Sequence, residues 1–240
     1  QGLKDSDISS YVAKRQSEKA AGKTIAEELL LLKATIQYFI GQKGLKSTPI
    51  QIWPKIKKTT TKPETIERYT PEEIEKIKEH FKNRGEYDYY MGLIYLGCRR
   101  GELWRVTRGD VDLLGGTIRL ENFKTGTSIS NQFRTLEIHP ELKPILEARC
   151  KGKNVMDRIF PIIGTGIWLT HSLRKACKKL GIPYRRVHGF RHTFISSLLN
   201  AGVPPTQVMK MVGHSNIATT MKYSHISSND LKGKINRLGY

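Results

Sequence analysis

HGFRHTFISSLLNAGVPPTQVMKMVGHSNIATTMKYSH, residues 188–225, decides how this chain is read. The apolar spacing predicts a helix from about Val187 to Ala201, stopped by Gly202, and Pro204-Pro205-Thr206 opens another short one. Tyr223 then follows His214 by nine residues. On one straight helix nine steps of about 100° place two residues on opposite faces, roughly 13 Å apart along the axis. If His214 and Tyr223 serve one site, the helix must break between them. Gly213-His214-Ser215-Asn216 supplies the break, with Ser215 or Asn216 as the cap of a new helix and His214 on a loop at its entrance.

Upstream, Thr70-Pro71-Glu72-Glu73 combines a threonine cap, a proline at the first helical position and a glutamate three after the cap. Ile74, Ile77 and Phe81 are the inward face of that helix. A second helix, about Asp88 to Leu96, leads into Gly97-Cys98-Arg99-Arg100-Gly101-Glu102-Leu103, so Arg99 falls at a helix junction. Between Thr117 and Ile138 the period changes to alternation. Thr117-Ile118-Arg119-Leu120 and Phe133-Arg134-Thr135-Leu136-Glu137-Ile138 read as two strands of a hairpin, with Lys124-Thr125-Gly126 at or near its turn. A further helix spans about Gly166 to Leu180, closed by Gly181 and Pro183. The fold class is mainly α with a small antiparallel β-sheet (α+β).

Towards the N-terminus, Asp5, Ser6 and Asp7 start an amphipathic helix with Ile8, Tyr11 and Val12 inward and Gly22 as its stop. The next helix, about Thr24 to Ile40, carries Ile25, Leu29, Leu32, Ile36 and Phe39 on one stripe, which Leu30 and Leu31 broaden. The basic, threonine-rich run from Lys55 to Thr65, interrupted by Pro63, has linker chemistry. The expected organisation is therefore a helical module over 1–62 and a larger domain over 63–240.

Forty-one Lys+Arg against 22 Asp+Glu give a formal charge of +19, which calls for a polyanionic partner. No run approaches the roughly 18 apolar residues that span a bilayer, so no membrane partner is expected. Cys98, Cys150 and Cys177 show no CxxC spacing and no paired Cys/His cluster, which argues against a disulfide framework or zinc and for a reducing cytoplasm. The chain begins at Gln1, which points to an excised fragment.

Arg99 in GCRRGEL, Lys124 in FKTG, HGFRHT at 188–193, VGHSN at 212–216 and Tyr223 in MKYSH occur together and in order. From about Thr70 to His225 the chain resembles the tyrosine recombinase, or phage integrase, family. The resemblance implies that Tyr223 is a nucleophile forming a 3′-phosphotyrosyl link with DNA. It makes Arg99 and Arg191 the guanidiniums on the non-bridging phosphate oxygens and Lys124 the general acid. It makes His188 the general base and His214 a second hydrogen-bonding histidine, with no metal or cofactor. It also implies double-stranded DNA as partner, a homotetramer on DNA, and accessory DNA-bending proteins. The stretch AEELLLLKATIQYFIGQKG, followed by Pro49 and Trp53-Pro54, resembles a core-binding domain, shortened at its N-terminus. An arm domain before it is a further segment the chain would lack.

The chemistry agrees independently. A phenol with a pKa of about 10 attacks poorly at neutral pH unless a base or dense positive charge assists it. Some assignments stay open on the residues alone. Arg100 could take the role of Arg99, with Arg99 held by Glu102 at i+3. His192, about 100° round the helix from Arg191, is read as structural. Ile226, Leu231, Ile235 and Leu238 could dock the tail on a neighbouring subunit or on its own domain. Two other functions fit part of the set: a type IB topoisomerase, or a DNA-binding protein with the same fold and no reaction.

Overall fold

The computed structural model describes residues 3–42, 50–56, 67–122, 133–162 and 167–224. Lys124 with its hairpin turn, Pro49, most of the basic linker and the tail from His225 onward lie outside the described residues. The chain divides into two compact units, Gln1–Thr65 and Ile66–Tyr240.

In the first unit, α1 (Asp5–Ser17) and α2 (Gly22–Gln42) pack through Ile8, Val12, Ile25 and Leu29, with Ile50 buried against them. Glu28 of α2 ties the pair by accepting from Arg15 Nε and Nη2 at 3.0 and 2.7 Å and from Tyr11 Oη at 2.9 Å. The Asp5 carboxylate accepts from the backbone N–H groups of Gln51 and Ile52, which fastens the segment 50–56 to the start of α1. Two expectations need correction here. Gly22 does not stop α1: the helix ends at Ser17, Lys19 takes the left-handed turn at φ 57°, and Gly22 opens α2. The apolar stripe of α2 is also narrower than its sequence suggests, since Leu30, Leu31 and Phe39 are exposed.

The second unit is built round α4 (Tyr87–Leu96), an apolar helix whose Tyr89, Tyr90, Met91, Leu93 and Leu96 are all buried. α3 (Pro71–Phe81) starts on the Thr70–Glu73 capping box and turns Ile74, Ile77 and Phe81 inward. α7 (Trp168–Leu180) adds Leu169, Leu173, Ala176 and Cys177 to the same core. Between them lie the short α5 (Arg100–Leu103), the strands β1 (Val111–Asp112), β2 (Thr117–Glu121) and β3 (Phe133–Glu137), and α6 (Lys143–Cys150). The sheet is antiparallel in the order β1-β2-β3, with Ile118 opposite Leu136 and Leu120 opposite Arg134. β1, too short to show a period, is an addition to the expected hairpin.

Alternation along β2 and β3 buries Ile118, Leu120, Arg134 and Leu136 and leaves Phe133 exposed. The buried phase of β3 therefore includes an arginine. α8 (Gly189–Asn200) packs on α4, and α9 (Pro205–Val212) packs on both α8 and β3. α10 (Ile217–Met221) returns along α9 and delivers Tyr223 to a small cluster with Ile195, Val208 and Val212. Among the described residues no helix is long and apolar enough to cross a membrane.

The junction of α4 and α5 is where the fold first touches the site. Gly97 ends α4 at φ 53°, and a Cβ there would stand 2.2 Å from Cδ1 of Phe194 on α8. Left-handed backbone costs a residue with a side chain about 1–2 kcal/mol, and displacing a packed ring adds to that. Gly97→Ala is accordingly expected to destabilise the second unit by more than about 2 kcal/mol in urea unfolding.

Candidate active site

A buried carboxylate organises the cationic residues. Glu102, third residue of the short α5, is 1% exposed, and its position makes it the capping partner of the Arg99 backbone N–H at 3.0 Å. Its Oε1 accepts from Arg99 Nη1 at 2.7 Å, its Oε2 accepts from Arg134 Nη2 at 2.7 Å, and Arg191 Nη1 stands 4.0 Å from the same Oε2. Burial works to raise the pKa of this carboxyl, but the charge and hydrogen bonds of Arg134 and Arg99 outweigh it, so Glu102 sits below the usual carboxylate range. One negative charge thus faces three guanidiniums.

Carbonyls at helix ends supply further contacts to Arg191 and Arg134. Arg191 donates from Nη1 to the Gly97 carbonyl at 2.9 Å and from Nη2 to the Val212 carbonyl at 2.6 Å. Arg134 donates from Nε to the Met211 carbonyl at 2.8 Å and from Nη1 to Oδ1 of Asn122. Gly97 and Val212 close α4 and α9, where unpaired carbonyls and the helix dipole present partial negative charge. Arg191 is 2% exposed, and burial, followed by the neighbouring charge of Arg99, brings its pKa down to about 10. It is still a cation at neutral pH. The Arg99 side chain remains 43% exposed, so this guanidinium is anchored on one side and open on the other.

The break predicted between His214 and Tyr223 is present. Gly213 leaves α9 at φ 70°, its N–H bonds to the Lys210 carbonyl, and the His214 N–H bonds back to the Met209 carbonyl, a Schellman closure. Asn216 then caps α10 by accepting from the Ala218 N–H at 2.8 Å. His214 lies on the loop between, its Nδ1 2.9 Å from Oγ1 of the fully buried Thr220.

His188, the residue before α8, keeps an exposed edge, yet protein crowding, then the charges of His192, Arg191 and Arg99, push its pKa down to about 4. His214 also falls to about 4 through burial and the charges of Arg191 and Arg99. Both imidazoles are neutral at pH 7. Arg99, Arg191, His188 and His214 thus lie within electrostatic reach of one another.

Tyr223, 7% exposed, reaches the group through a residue read as structural: its hydroxyl is 2.5 Å from Nδ1 of His192. The His192 ring meets His188 edge to face at 4.7 Å. Of the open assignments, Arg99 is held by Glu102 and remains in the group, while Arg100 donates to Thr170 Oγ1 and stacks over Trp104. Arg134 and His192 are the residues that motif reading passed over. An arginine in the buried phase of an alternating strand was the available signal for Arg134. His192 had none, because its contact depends on where α10 returns.

A helical domain with a three-stranded sheet that gathers guanidiniums and neutral imidazoles near a buried phenol has the make-up of a covalent phosphoryl-transfer domain. The chain belongs to the phage integrase family, whose profile matches residues 67–230. It is 29% identical over 202 residues to the tyrosine recombinase XerA of Saccharolobus solfataricus, covering 83% of this chain and 66% of that protein. It is 27% identical over 265 residues to a XerC-like tyrosine recombinase of Caldanaerobacter subterraneus, covering 93% of this chain and 68% of that one. In fold it is similar to the Tn1549 transposon integrase solved with a circular-intermediate DNA, at a TM-score of 0.72 and 19% identity, over 99% of this chain and 86% of that one. It is also similar to the XerH recombinase bound to its difH substrate, at a TM-score of 0.70 and 15% identity, over 96% of this chain and 69% of that one.

Two outcomes follow from the electrostatics. Glu102→Gln keeps the shape and removes the charge that three cations share, and breaking a buried pair from one side costs about 3–5 kcal/mol, to be read from urea unfolding. Unfolded imidazoles bind protons near 6.5, whereas His188 and His214 wait until about 4. Between those values the unfolded chain holds more protons, so stability falls as the pH is lowered from about 6.5 towards 4. The urea midpoint of the His188→Asn, His214→Asn double variant is expected to fall less than that of the wild type over this window.

Proposed function

We propose that this protein is a site-specific DNA recombinase that cuts and rejoins strands through a covalent bond between Tyr223 and a DNA 3′-phosphate. The observation that carries this reading is the placement of Tyr223: a buried phenol in hydrogen-bond contact with an imidazole of α8, the helix that also supplies Arg191 to the guanidinium group on Glu102. A binding protein has no physical need for a phenol held there.

In the proposed reaction Arg99 and Arg191 take the non-bridging oxygens of the scissile phosphate, where planar donors, held by Glu102 for Arg99 and by the Gly97 and Val212 carbonyls for Arg191, match the charge that grows in the transition state. His214 donates a further hydrogen bond, which its neutral state permits from one ring nitrogen. Lys124 protonates the departing 5′-oxygen; the family pattern assigns the base to His188, while the imidazole in contact with the phenol is that of His192. The phosphotyrosine preserves the energy of the broken phosphodiester, so a second 5′-hydroxyl rejoins the strand without ATP.

Double-stranded DNA is the proposed partner. The charge of +19 supports it, as does an open cavity of about 410 Å³ beside His188, lined in part by Arg100, Arg174 and Arg186. Such side chains set register and affinity through phosphates more than they read sequence. The relatives named as recombinases and those solved on DNA agree with the reading. We extend it to a tetramer on DNA, with accessory DNA-bending proteins, acting in the cytoplasm.

A nicked suicide substrate tests the reading. Wild type is expected to form a covalent protein–DNA adduct; Tyr223→Phe is expected to retain salt-sensitive DNA binding and form none. Absence of adduct from the wild type would make the protein a DNA binder. Relaxation of supercoiled plasmid without joined products would make it a topoisomerase.

A further inference from the structure

We propose that His192, and not His188, receives the proton of Tyr223 when the phenol attacks. The inference rests on the reading of Tyr223 as the nucleophile and assigns the proton to a specific atom, Nδ1 of His192. That nitrogen stands 2.5 Å from the phenol oxygen, within the span over which a proton passes directly. The proposal assigns His192 the tautomer with its hydrogen on Nε2, in which Nδ1 accepts and the phenol donates.

The geometry is held from both sides. His192 lies within α8, between the buried Arg191 and the segment ending in the buried Ile195, and its backbone N–H bonds to the His188 carbonyl. Tyr223 is fixed by its N–H bond to the Thr220 carbonyl and by packing with Ile195, Val208 and Val212. His192 is carried by α8, and Tyr223 by the turn that closes α10.

His188 occupies a different position. It is one helical turn before His192, and besides His192 the charges that act on it are those of Arg191 and Arg99, the guanidiniums expected to hold the phosphate. With its pKa at about 4 it is a weak base for a phenol and a good neutral donor for a phosphate oxygen. Tyr223, His192 and His188 thus form a row, with the nucleophile at one end and a phosphate-facing imidazole at the other.

The step balances. The Tyr223 O–H bond breaks and its proton goes to His192 Nδ1. The phenol oxygen bonds to phosphorus, the bond from phosphorus to the 5′-oxygen breaks, and the leaving oxygen takes a proton from the general acid. On rejoining, the His192 imidazolium returns its proton to the phenol oxygen as leaving group.

Single-turnover cleavage of the suicide substrate by His192→Asn and His188→Asn separates the two assignments. Asparagine can accept the phenol hydrogen bond but cannot take the proton at neutral pH, so a merely orienting role survives the change. His192→Asn is expected to bind DNA as the wild type does, to slow adduct formation by about 10²- to 10⁴-fold, and to lose the acidic limb of the pH–rate profile. His188→Asn is expected to slow the reaction and keep that limb. Cleavage by His192→Asn within a few-fold of wild type, or loss of the limb in His188→Asn instead, would overturn the proposal. If His192→Asn does not fold, His192→Ala with added imidazole replaces it: restored adduct supports the assignment and no restoration overturns it. A wild type that forms no adduct refutes the nucleophile reading itself, a different result from either.

Discussion

The catalytic unit depends on one carboxylate. Glu102 is almost wholly buried and bonded to Arg99 and Arg134, with Arg191 at 4.0 Å. Without it the buried Arg134 and Arg191 and the part-exposed Arg99 would repel one another, with little screening of the two that are buried. With it they stand together and still leave an excess of positive charge. A site meant for a phosphate needs that imbalance, since a fully neutralised cluster would have no remaining attraction for an anion.

Helix ends complete what Glu102 begins. α4 and α9 end so that the Gly97, Met211 and Val212 carbonyls face Arg191 and Arg134, and each helix is closed by a glycine in left-handed conformation. The carbonyls hold the guanidiniums by hydrogen bonding and partial charge without adding a full negative charge. Burial, with the charges of Arg191 and Arg99, keeps His188 and His214 neutral, so the imidazoles serve as donors or acceptors before a substrate arrives. Charge, tautomer and position are therefore coupled through a few fixed contacts.

Much of this was legible in the sequence because it is local. The capping box at Thr70 and Glu73, the alternation in β2 and β3, and the stop at Gly213 with the restart at Asn216 are written within a few residues of where they act. The requirement that His214 and Tyr223 be separated by a break follows from helix geometry alone. Local signals also misled. Gly22 looks like a helix stop and opens α2, because Lys19 takes the left-handed turn first; Leu30 and Leu31 look like core and are exposed.

The sequence by itself determined the helical character, the small sheet and the basic charge, since spacing and residue type specify these, and its resemblance to the family singled out Arg99, His188, Arg191, His214 and Tyr223. Only the tertiary structure decided that Arg134 joins the guanidiniums and that His192 meets the Tyr223 hydroxyl. Glu102 and Arg134 are 32 residues apart, and His192 and Tyr223 are 31 apart. Contacts over such separations depend on which side of a core each element returns along, and no short-range period records that.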